Sequence, residues 1–211
     1  MKKIIIPAVI ADSQEKLDEI FSKIMDSAHL LQLDVMDGKF VPNKSLDFNF
    51  RLPEKKYQFE AHLMVENPEE WIERNWQKVD TLIAHFESVK SPQEVINSVK
   101  NKRKKMAFAL NPETDTDQIK DYVYDLDQVL IMTVHPGFYG SPFLPETLEK
   151  VARLRKLKPD LDIEVDGGIK PDTIGQADKA GANMFVSGSY LIRSDSVQER
   201  IDVLKSKIAA D

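Results

Sequence analysis

The sequence has 211 residues, of which 29 are Lys or Arg and 35 are Asp or Glu, so its formal net charge is −6. A 42% apolar and 30% charged composition excludes a disordered chain, and the absence of cysteine excludes disulfide scaffolds, thiolate metal sites and cysteine nucleophiles. No apolar run approaches the roughly 18 residues of a membrane span, the first apolar run is too short for a signal peptide, and the acidic charge argues against general nucleic-acid binding. We therefore expect a cytoplasmic protein with neither nucleic acid nor membrane as a partner.

Short apolar runs alternate with longer amphipathic runs along the chain, and this predicts strands that alternate with helices. The predicted strands span residues 3–9, 30–36, 57–65, 81–86, 106–110, 128–134, 161–166 and 183–187. Helix starts are predicted where a capping residue stands three residues before Glu, at Asp12, Asn67 and Ser91. Residues 39–56 contain two prolines and mixed polarity, which predicts a long loop with at most a short helix.

Eight strand–helix units within this length predict an α/β fold, a single (β/α)8 TIM barrel domain over residues 1–211. The alternative is an open doubly wound sheet, which usually has fewer strands and a glycine-rich turn after the first strand. Residues 7–12 follow the first predicted strand and contain no glycine, which favours the barrel. In a barrel the chemistry belongs at the carboxyl ends of the strands.

Polar residues lie on the predicted inward faces of three strands. Strand alternation groups Gln32 with Asp34, Glu60 with His62 and Met64, and Glu164 with Asp166. Two carboxylates and an imidazole thus converge from different strand ends. A single strand-end Asp is more often a helix cap, but burying three unpaired polar residues is costly. Asp and His together suit a divalent metal such as zinc, manganese or iron.

Glycines follow the last three predicted strands. They are Gly137 and Gly140, Gly167 and Gly168, and Gly188, which precedes Ser189. Loops at these places in barrels bind phosphate through backbone N–H groups. Each glycine could merely permit a tight turn, but their joint position beside the carboxylates favours a phosphate site.

Five segments of the chain resemble the ribulose-phosphate 3-epimerase family. They read LDVMDGKFVPN at 33–43, AHLMV at 61–65, MTV before PGF at 132–138, VDGGI at 165–169 and SGS at 187–189. The first two segments are specific to the family, whereas the glycine segments are shared among phosphate-binding barrels. The resemblance covers nearly the whole chain.

The resemblance implies an isomerase of the pentose phosphate pathway that interconverts D-ribulose 5-phosphate and D-xylulose 5-phosphate. Proton transfer at C3 would use Asp34 and Asp166 as two bases and pass through a metal-stabilised enediolate. The same two carboxylates and His62 would bind one divalent ion (Zn, Fe, Mn or Co). The substrate and its phosphate would contact His62, Met36, Met64, Met132, Gly137, Phe138, Tyr139, Gly140, Gly167, Gly168, Gly188 and Ser189. The methionines could equally be core filling. We expect a homo-oligomer.

The chain departs from the family pattern at two positions that matter. Gln32 stands where the family usually has a His as the fourth metal ligand, and Ala8 stands where it usually has Ser. An amide oxygen is a poorer ligand than imidazole, so we expect weak metal binding at an altered but active site. We expect His85 to be structural and His135 to point away from the barrel interior.

Three alternatives remain open from the sequence. The first is an epimerase for another ketose phosphate, such as allulose 6-phosphate. The second is a decarboxylase or aldol-type lyase, which typically has Lys where this chain has Met36. The third is a non-catalytic barrel that binds phosphosugars, which Gln32 and Ala8 make plausible.

Overall fold

A computed structural model describes residues 1–24, 26–53, 57–137 and 141–208. The strands are β1 (Ile4–Val9), β2 (Leu30–Asp37), β3 (Lys44–Ser45), β4 (Gln58–Met64), β5 (Thr81–His85), β6 (Lys105–Leu110), β7 (Gln128–Met132), β8 (Asp162–Asp166) and β9 (Met184–Ser187). The α-helices are α1 (Gln14–Ile24), α2 (Pro68–Asn75), α3 (Pro92–Asn101), α4 (Leu148–Leu157), α5 (Ile174–Ala180), α6 (Ser189–Ile192) and α7 (Val197–Lys205). Short 3₁₀ turns lie at Trp76–Lys78, Phe86–Ser88, Thr116–Gln118, Val123–Asp125 and Pro145–Thr147.

Eight parallel strands within the described residues close into a barrel, which confirms the predicted fold class. The sheet order is β1-β9-β8-β7-β6-β5-β4-β2-β3, and a parallel pairing of β1 with β2 closes the ring. Each predicted strand is present, with bounds that move by no more than two residues. Buried parallel strands read as nearly continuous apolar runs, which is why the sequence pattern locates them.

The long loop after β2 contains a strand where the sequence analysis allowed at most a short helix. β3 pairs antiparallel with the end of β2, placing Met36 opposite Ser45. Ser45 Oγ accepts a hydrogen bond from the backbone N–H of Ala11 over 3.1 Å, and Leu46 N–H donates to the Ala11 carbonyl over 2.8 Å. These bonds tie the loop to the end of β1 and fold it over the carboxyl end of the barrel.

The predicted helix starts are correct for α2 and α3, which follow Asn67 and Ser91. The prediction of Asp12 as a cap is wrong. Helix α1 begins one residue later than that cap requires, and Ser13 Oγ accepts the hydrogen bond from Lys16 N–H. The Asp12 carboxylate instead pairs with Lys16 Nζ over 3.3 Å. Among the described helices, none combines the length and apolar composition that a membrane span requires.

The barrel strands separate an outer apolar layer from a partly polar interior. Outward residues such as Leu31, Leu33 and Val35 belong to the large core cluster beneath the helices. Inside the barrel, polar side chains are buried on β2, β4, β5, β7 and β8: Gln32, Asp34, Glu60, His62, His85, Gln128 and Glu164. Burying so many polar groups is costly unless they are paired, so this interior indicates a functional site.

Candidate active site

Three strand ends bring Asp34, His62 and Asp166 together at the carboxyl end of the barrel. Their ligand atoms all lie within 4.8 Å of one another. His62 Nδ1 is 3.3 Å from Asp34 Oδ1 and 3.3 Å from Asp166 Oδ2. Because β1 and β9 separate β2 from β8 in the sheet, the two carboxylates reach this point from different sides of the barrel.

The spacing of these three side chains fits a divalent cation. Ligand atoms bound tetrahedrally at 2.0–2.2 Å stand about 3.4 Å from one another, and the two His–Asp distances are 3.3 Å. The donor set of two carboxylate oxygens and one imidazole nitrogen is one that zinc, manganese, iron and cobalt accept. Asp34, His62 and Asp166 therefore form a group that could hold a metal ion.

Gln32 lies directly beneath this group and turns its amide nitrogen toward it. Gln32 Nε2 donates hydrogen bonds to Asp34 Oδ1 over 2.8 Å and to Asp166 Oδ2 over 2.7 Å. Its Oε1 is buried and has no hydrogen-bond partner among the described residues. Because the two amide ends are similar in size, rotating the amide by half a turn would present this oxygen to a cation without changing the packing.

Burial and charge shift the ionisation of the two inner residues. Burial alone would lower the pKa of His62, but hydrogen bonds and charge attraction from Asp166 and Asp34 raise it to about 9. Burial raises the pKa of Asp34, and the hydrogen bond with His62 offsets this only partly. The two carboxylates thus favour positive charge at their centre, whether on the ring or on a cation.

A second layer of polar side chains lies below this group inside the barrel. On β4 and β8 its residues stand two positions before His62 and Asp166. Gln128 Nε2 donates to Glu164 Oε2 over 3.0 Å and lies 3.4 Å from Glu60 Oε2. Burial raises the pKa of Glu60 to about 7. Burial, and then the charge of Glu60, raise the pKa of Glu164 well above its ordinary value. The two carboxyl groups therefore retain protons that exposed glutamates would lose.

Replacing Glu60 with Gln should change how stability depends on pH. The unfolded chain loses this proton near pH ~4.3, whereas the folded protein holds it to about pH 7. The folded state therefore binds more protons in that window, and the free energy of unfolding falls as the pH rises through it. We expect Glu60→Gln to flatten this decline and to raise stability above pH 7 by up to about 4 kcal/mol.

Urea unfolding of the wild type and Glu60→Gln across this pH range measures the effect. Glu94→Gln on the exposed face of α3 is the matched control and should keep the wild-type decline. Parallel stability curves for the wild type and Glu60→Gln would show that Glu60 does not titrate abnormally in the folded protein.

The two further histidines considered in the sequence lie in different surroundings. His85 is fully buried, and its Nε2 lies 2.9 Å from His62 Nε2. Burial lowers the pKa of His85 to about 4, against an opposing hydrogen bond with Glu87. His135 is exposed and pairs with Glu113 over 3.0 Å, in agreement with its predicted outward direction.

A cavity of about 340 Å³ opens above the carboxylates. Asp34 and Asp166 line it together with these residues that the sequence analysis assigned to the substrate: Met36, Met64, Met132, Gly137, Gly167, Gly168, Gly188 and Ser189. Ala8 lies on its wall beside Gly188. The predicted residues Phe138, Tyr139 and Gly140 lie outside the described residues.

The turn after β8 requires glycine. Gly167 and Gly168 have φ values of +116° and +65°, a region that side chains disfavour. A Cβ on Gly167 would clash with Val134 Cγ2, so the backbone approaches the neighbouring strand end too closely for any side chain. This turn consequently presents bare backbone to the cavity.

The structure adds residues to the cavity that the sequence analysis did not assign. Asn43, Lys16, Lys44 and Ser141 line its mouth. The Asn43 amide donates to the Gly137 carbonyl and joins the loops after β2 and β7. Asn43 lies within the first family segment, which was a usable signal, but nothing in the pattern marked the two lysines.

Solved structures with the same architecture come from several barrel enzymes. The 3-keto-L-gulonate-6-phosphate decarboxylase of Vibrio cholerae superposes with a TM-score of 0.72 at 11% identity, over 98% of this chain and 97% of that one. The 3-hexulose-6-phosphate synthase of Salmonella typhimurium gives a TM-score of 0.68 at 12% identity, over 97% and 98% of the two chains. At these identities the similarity establishes the fold alone.

Curated relatives share much more of the sequence. The ribulose-phosphate 3-epimerase of Eremothecium gossypii is 34% identical over 99% of this chain and 94% of its own length. The cytoplasmic isoform of ribulose-phosphate 3-epimerase from Oryza sativa subsp. japonica is 39% identical over 86% of this chain and 83% of its own length. The profile described as "Ribulose-phosphate 3 epimerase family" matches residues 3–192. These similarities confirm the predicted resemblance and the predicted class of enzyme: the chain belongs to the ribulose-phosphate 3-epimerase family.

Proposed function

We propose that the protein interconverts D-ribulose 5-phosphate and D-xylulose 5-phosphate, with Asp34 and Asp166 as the acid and base that exchange the proton at C3. The observation that carries this proposal is their arrangement. The two carboxylates come from strands on different sides of the barrel and meet at the floor of one cavity. A substrate held between them would present opposite faces of C3 to the two groups.

Epimerisation requires one group to remove the C3 proton and another to return a proton to the opposite face. Burial raises the pKa of Asp34 and favours the protonated form that a proton donor needs. Asp166 lies nearer solvent, with 15% of its side chain exposed. In this assignment one direction of reaction leaves Asp34 ionised and Asp166 protonated, and the reverse direction restores them.

Asp34, His62 and Asp166 would hold one divalent ion, chosen from Zn, Fe, Mn and Co. When bound, such an ion supplies positive charge beside the oxygen on which negative charge develops as the C3 proton leaves. Gln32 Oε1, which has no hydrogen-bond partner in the part of the chain that the structure describes, is available as a fourth ligand after the amide rotates. Since this oxygen is neutral and its amide nitrogen already bonds both carboxylates, binding should be weaker than with a fourth imidazole.

The remaining cavity walls would position the sugar and its phosphate. Met36, Met64 and Met132 surround the carboxylates with apolar surface that offers no proton to the reacting carbon. The turns at Gly137, at Gly167 and Gly168, and at Gly188 and Ser189 place backbone groups on the same cavity. Those backbone N–H groups would bind the phosphate, as barrel loops at this end commonly do.

A crystal soaked in sulfate should show the anion among these glycine turns. The turns contain no arginine, so we expect the anion to be held by N–H groups of the segments at residues 167–168 and 188–189. Sulfate density there, replaced by the phosphate group of the sugar when D-ribulose 5-phosphate is soaked in, would support the assignment. An anion at the opposite end of the barrel, with none at these turns, would contradict it.

Membership of the ribulose-phosphate 3-epimerase family removes the decarboxylase or lyase alternative. Product analysis tests the proposed substrate against the other two. Incubation with D-ribulose 5-phosphate, followed by NMR of the sugar mixture, should show D-xylulose 5-phosphate. Faster conversion of allulose 6-phosphate would favour an epimerase for a longer ketose. Binding of both sugars without conversion would favour the non-catalytic phosphosugar-binding barrel.

Other predictions from the sequence concern location and assembly. A cytoplasmic location is supported by the name of the rice relative, which is a cytoplasmic isoform. The single domain over residues 1–211, the homo-oligomer and the lack of nucleic-acid or membrane partners stay predictions.

A further inference from the structure

We propose that His85 and Glu87 are positioning residues that fix the tautomer of His62, so that its Nδ1 lone pair faces Asp34 and Asp166. This inference rests on the proposed function, because that function makes His62 a metal ligand. Neither His85 nor Glu87 is a metal ligand in this proposal. Together they determine which ring nitrogen of His62 has no proton and can bind the metal ion.

The two nitrogens of His62 have different neighbours. Nδ1 lies 3.3 Å from one oxygen of Asp34 and 3.3 Å from one oxygen of Asp166. Nε2 lies 2.9 Å from His85 Nε2, and both rings are fully buried with their centroids 5.0 Å apart. Metal binding at Nδ1 requires a neutral ring whose proton is on Nε2.

Glu87 sets the direction of the hydrogen bonds that run from Glu87 through His85 to His62. Its Oε1 accepts hydrogen bonds from Asn111 N–H over 2.8 Å and from the Thr114 hydroxyl. Its Oε2 lies 3.3 Å from His85 Nδ1. A carboxylate can only accept, so the proton of a neutral His85 lies on Nδ1 and its Nε2 becomes an acceptor.

The acceptor on His85 then determines the tautomer of His62. Because His85 Nε2 carries no proton, the 2.9 Å contact is a bond donated by His62 Nε2–H. The carboxylates favour a proton on Nδ1 while no cation is bound. When a cation displaces that proton, the neutral ring keeps its remaining proton on Nε2, and Nδ1 offers its lone pair to the cation. Partners of this kind commonly orient metal-binding histidines, and their loss typically weakens metal affinity 10- to 100-fold.

Glu87, the last residue in this series of hydrogen bonds, is held in place through helix α4. Lys150 of α4 is buried and donates to the carbonyls of Asn111 and Pro112 over 2.8 and 2.6 Å. This holds the segment whose N–H and hydroxyl groups bind Glu87. On the other side, the ring of Phe40 packs against His85 with centroids 4.8 Å apart. His85 is therefore held at both its ring face and its Nδ1 edge.

Metal titration separates a positioning role from simple filling of the barrel. We expect His85→Leu to weaken Mn²⁺ binding by about 10- to 100-fold in calorimetry. His85→Gln should restore most of the affinity, because its oxygen can accept from His62 Nε2–H while its nitrogen donates to Glu87. Glu87→Gln should fall between the wild type and His85→Leu, since its amide can present a donor to His85. His135→Leu, which breaks an exposed His–Glu pair, is the matched control and should bind as the wild type does.

A spectroscopic measurement gives an independent readout that also holds if His85→Leu fails to fold. In ¹⁵N-histidine NMR of the Zn²⁺-loaded wild type, we expect His62 to carry its proton on Nε2. A proton on His62 Nδ1, or His85→Leu binding Mn²⁺ as tightly as the wild type, would overturn the inference alone. Failure of the wild type to bind any metal, or undiminished binding by Asp166→Asn, would overturn the proposed metal site and the inference with it.

Discussion

Asp34→Asn and Asp166→Asn are each expected to lower the rate of epimerisation by at least on the order of 10²–10⁴ while the barrel stays folded. An amide cannot take up the C3 proton, so each substitution removes one of the two groups that the reaction requires. The fold should survive because Asn has the shape of Asp. Its oxygen can still accept the hydrogen bond that Gln32 donates over 2.8 Å to Asp34 and over 2.7 Å to Asp166.

Initial rates with D-ribulose 5-phosphate, together with thermal unfolding, measure this expectation. The matched control is Asp162→Asn, the same substitution at the other end of β8, where the carboxylate accepts from Asn183 Nδ2 over 2.8 Å. It should retain turnover near that of the wild type. Near-normal turnover in either active-site variant would show that the two-base assignment is wrong.

Gln32→His is expected to tighten metal binding by about 10- to 100-fold. The imidazole would replace a neutral amide with a stronger nitrogen ligand, and it would remove the amide nitrogen that now bonds both carboxylates. We expect the wild type purified without added metal to be partly or wholly empty, with activity that rises when Mn²⁺, Fe²⁺, Co²⁺ or Zn²⁺ is supplied. The variant should retain its metal.

Elemental analysis and calorimetric titration of both forms decide this point. Gln198→His on the exposed face of α7 is the control for nonspecific binding by an added histidine. Full stoichiometric metal in the untreated wild type, or no gain in affinity from the histidine, would show that Gln32 does not occupy a ligand position.

The sequence located the barrel strands well because each is a buried run with a regular alternation. β3 escaped prediction, since two residues carry no period, and its position depends on distant bonds to Ala11. The sequence pattern favours Asp12 as the cap of α1 because Glu15 follows it by three residues, but the adjacent Ser13 is an equally good capping residue. The choice between them depends on where the preceding strand and turn direct the chain.

In the candidate site, too, the sequence predicts which side chains point inward but not all of the contacts that they make. Parity alone directs Asp34, His62 and Asp166 inward, and the register that pairs Asp34 with His62 brings these two to one level. The contact of His62 with His85 could not be predicted, because it depends on the stagger between β4 and β5 and on the rotamers of two rings. The orientation of the Gln32 amide likewise depends on which neighbours accept its hydrogens.

The most direct test of the account follows the C3 proton in deuterated water. We expect D-xylulose 5-phosphate formed from D-ribulose 5-phosphate to carry deuterium at C3, while the substrate recovered early in the reaction still carries hydrogen there. That pattern requires one group to remove the proton and a second, solvent-equilibrated group to return another. Deuterium entering the recovered substrate faster than product forms would indicate a single base, and binding without exchange or conversion would contradict the proposed activity.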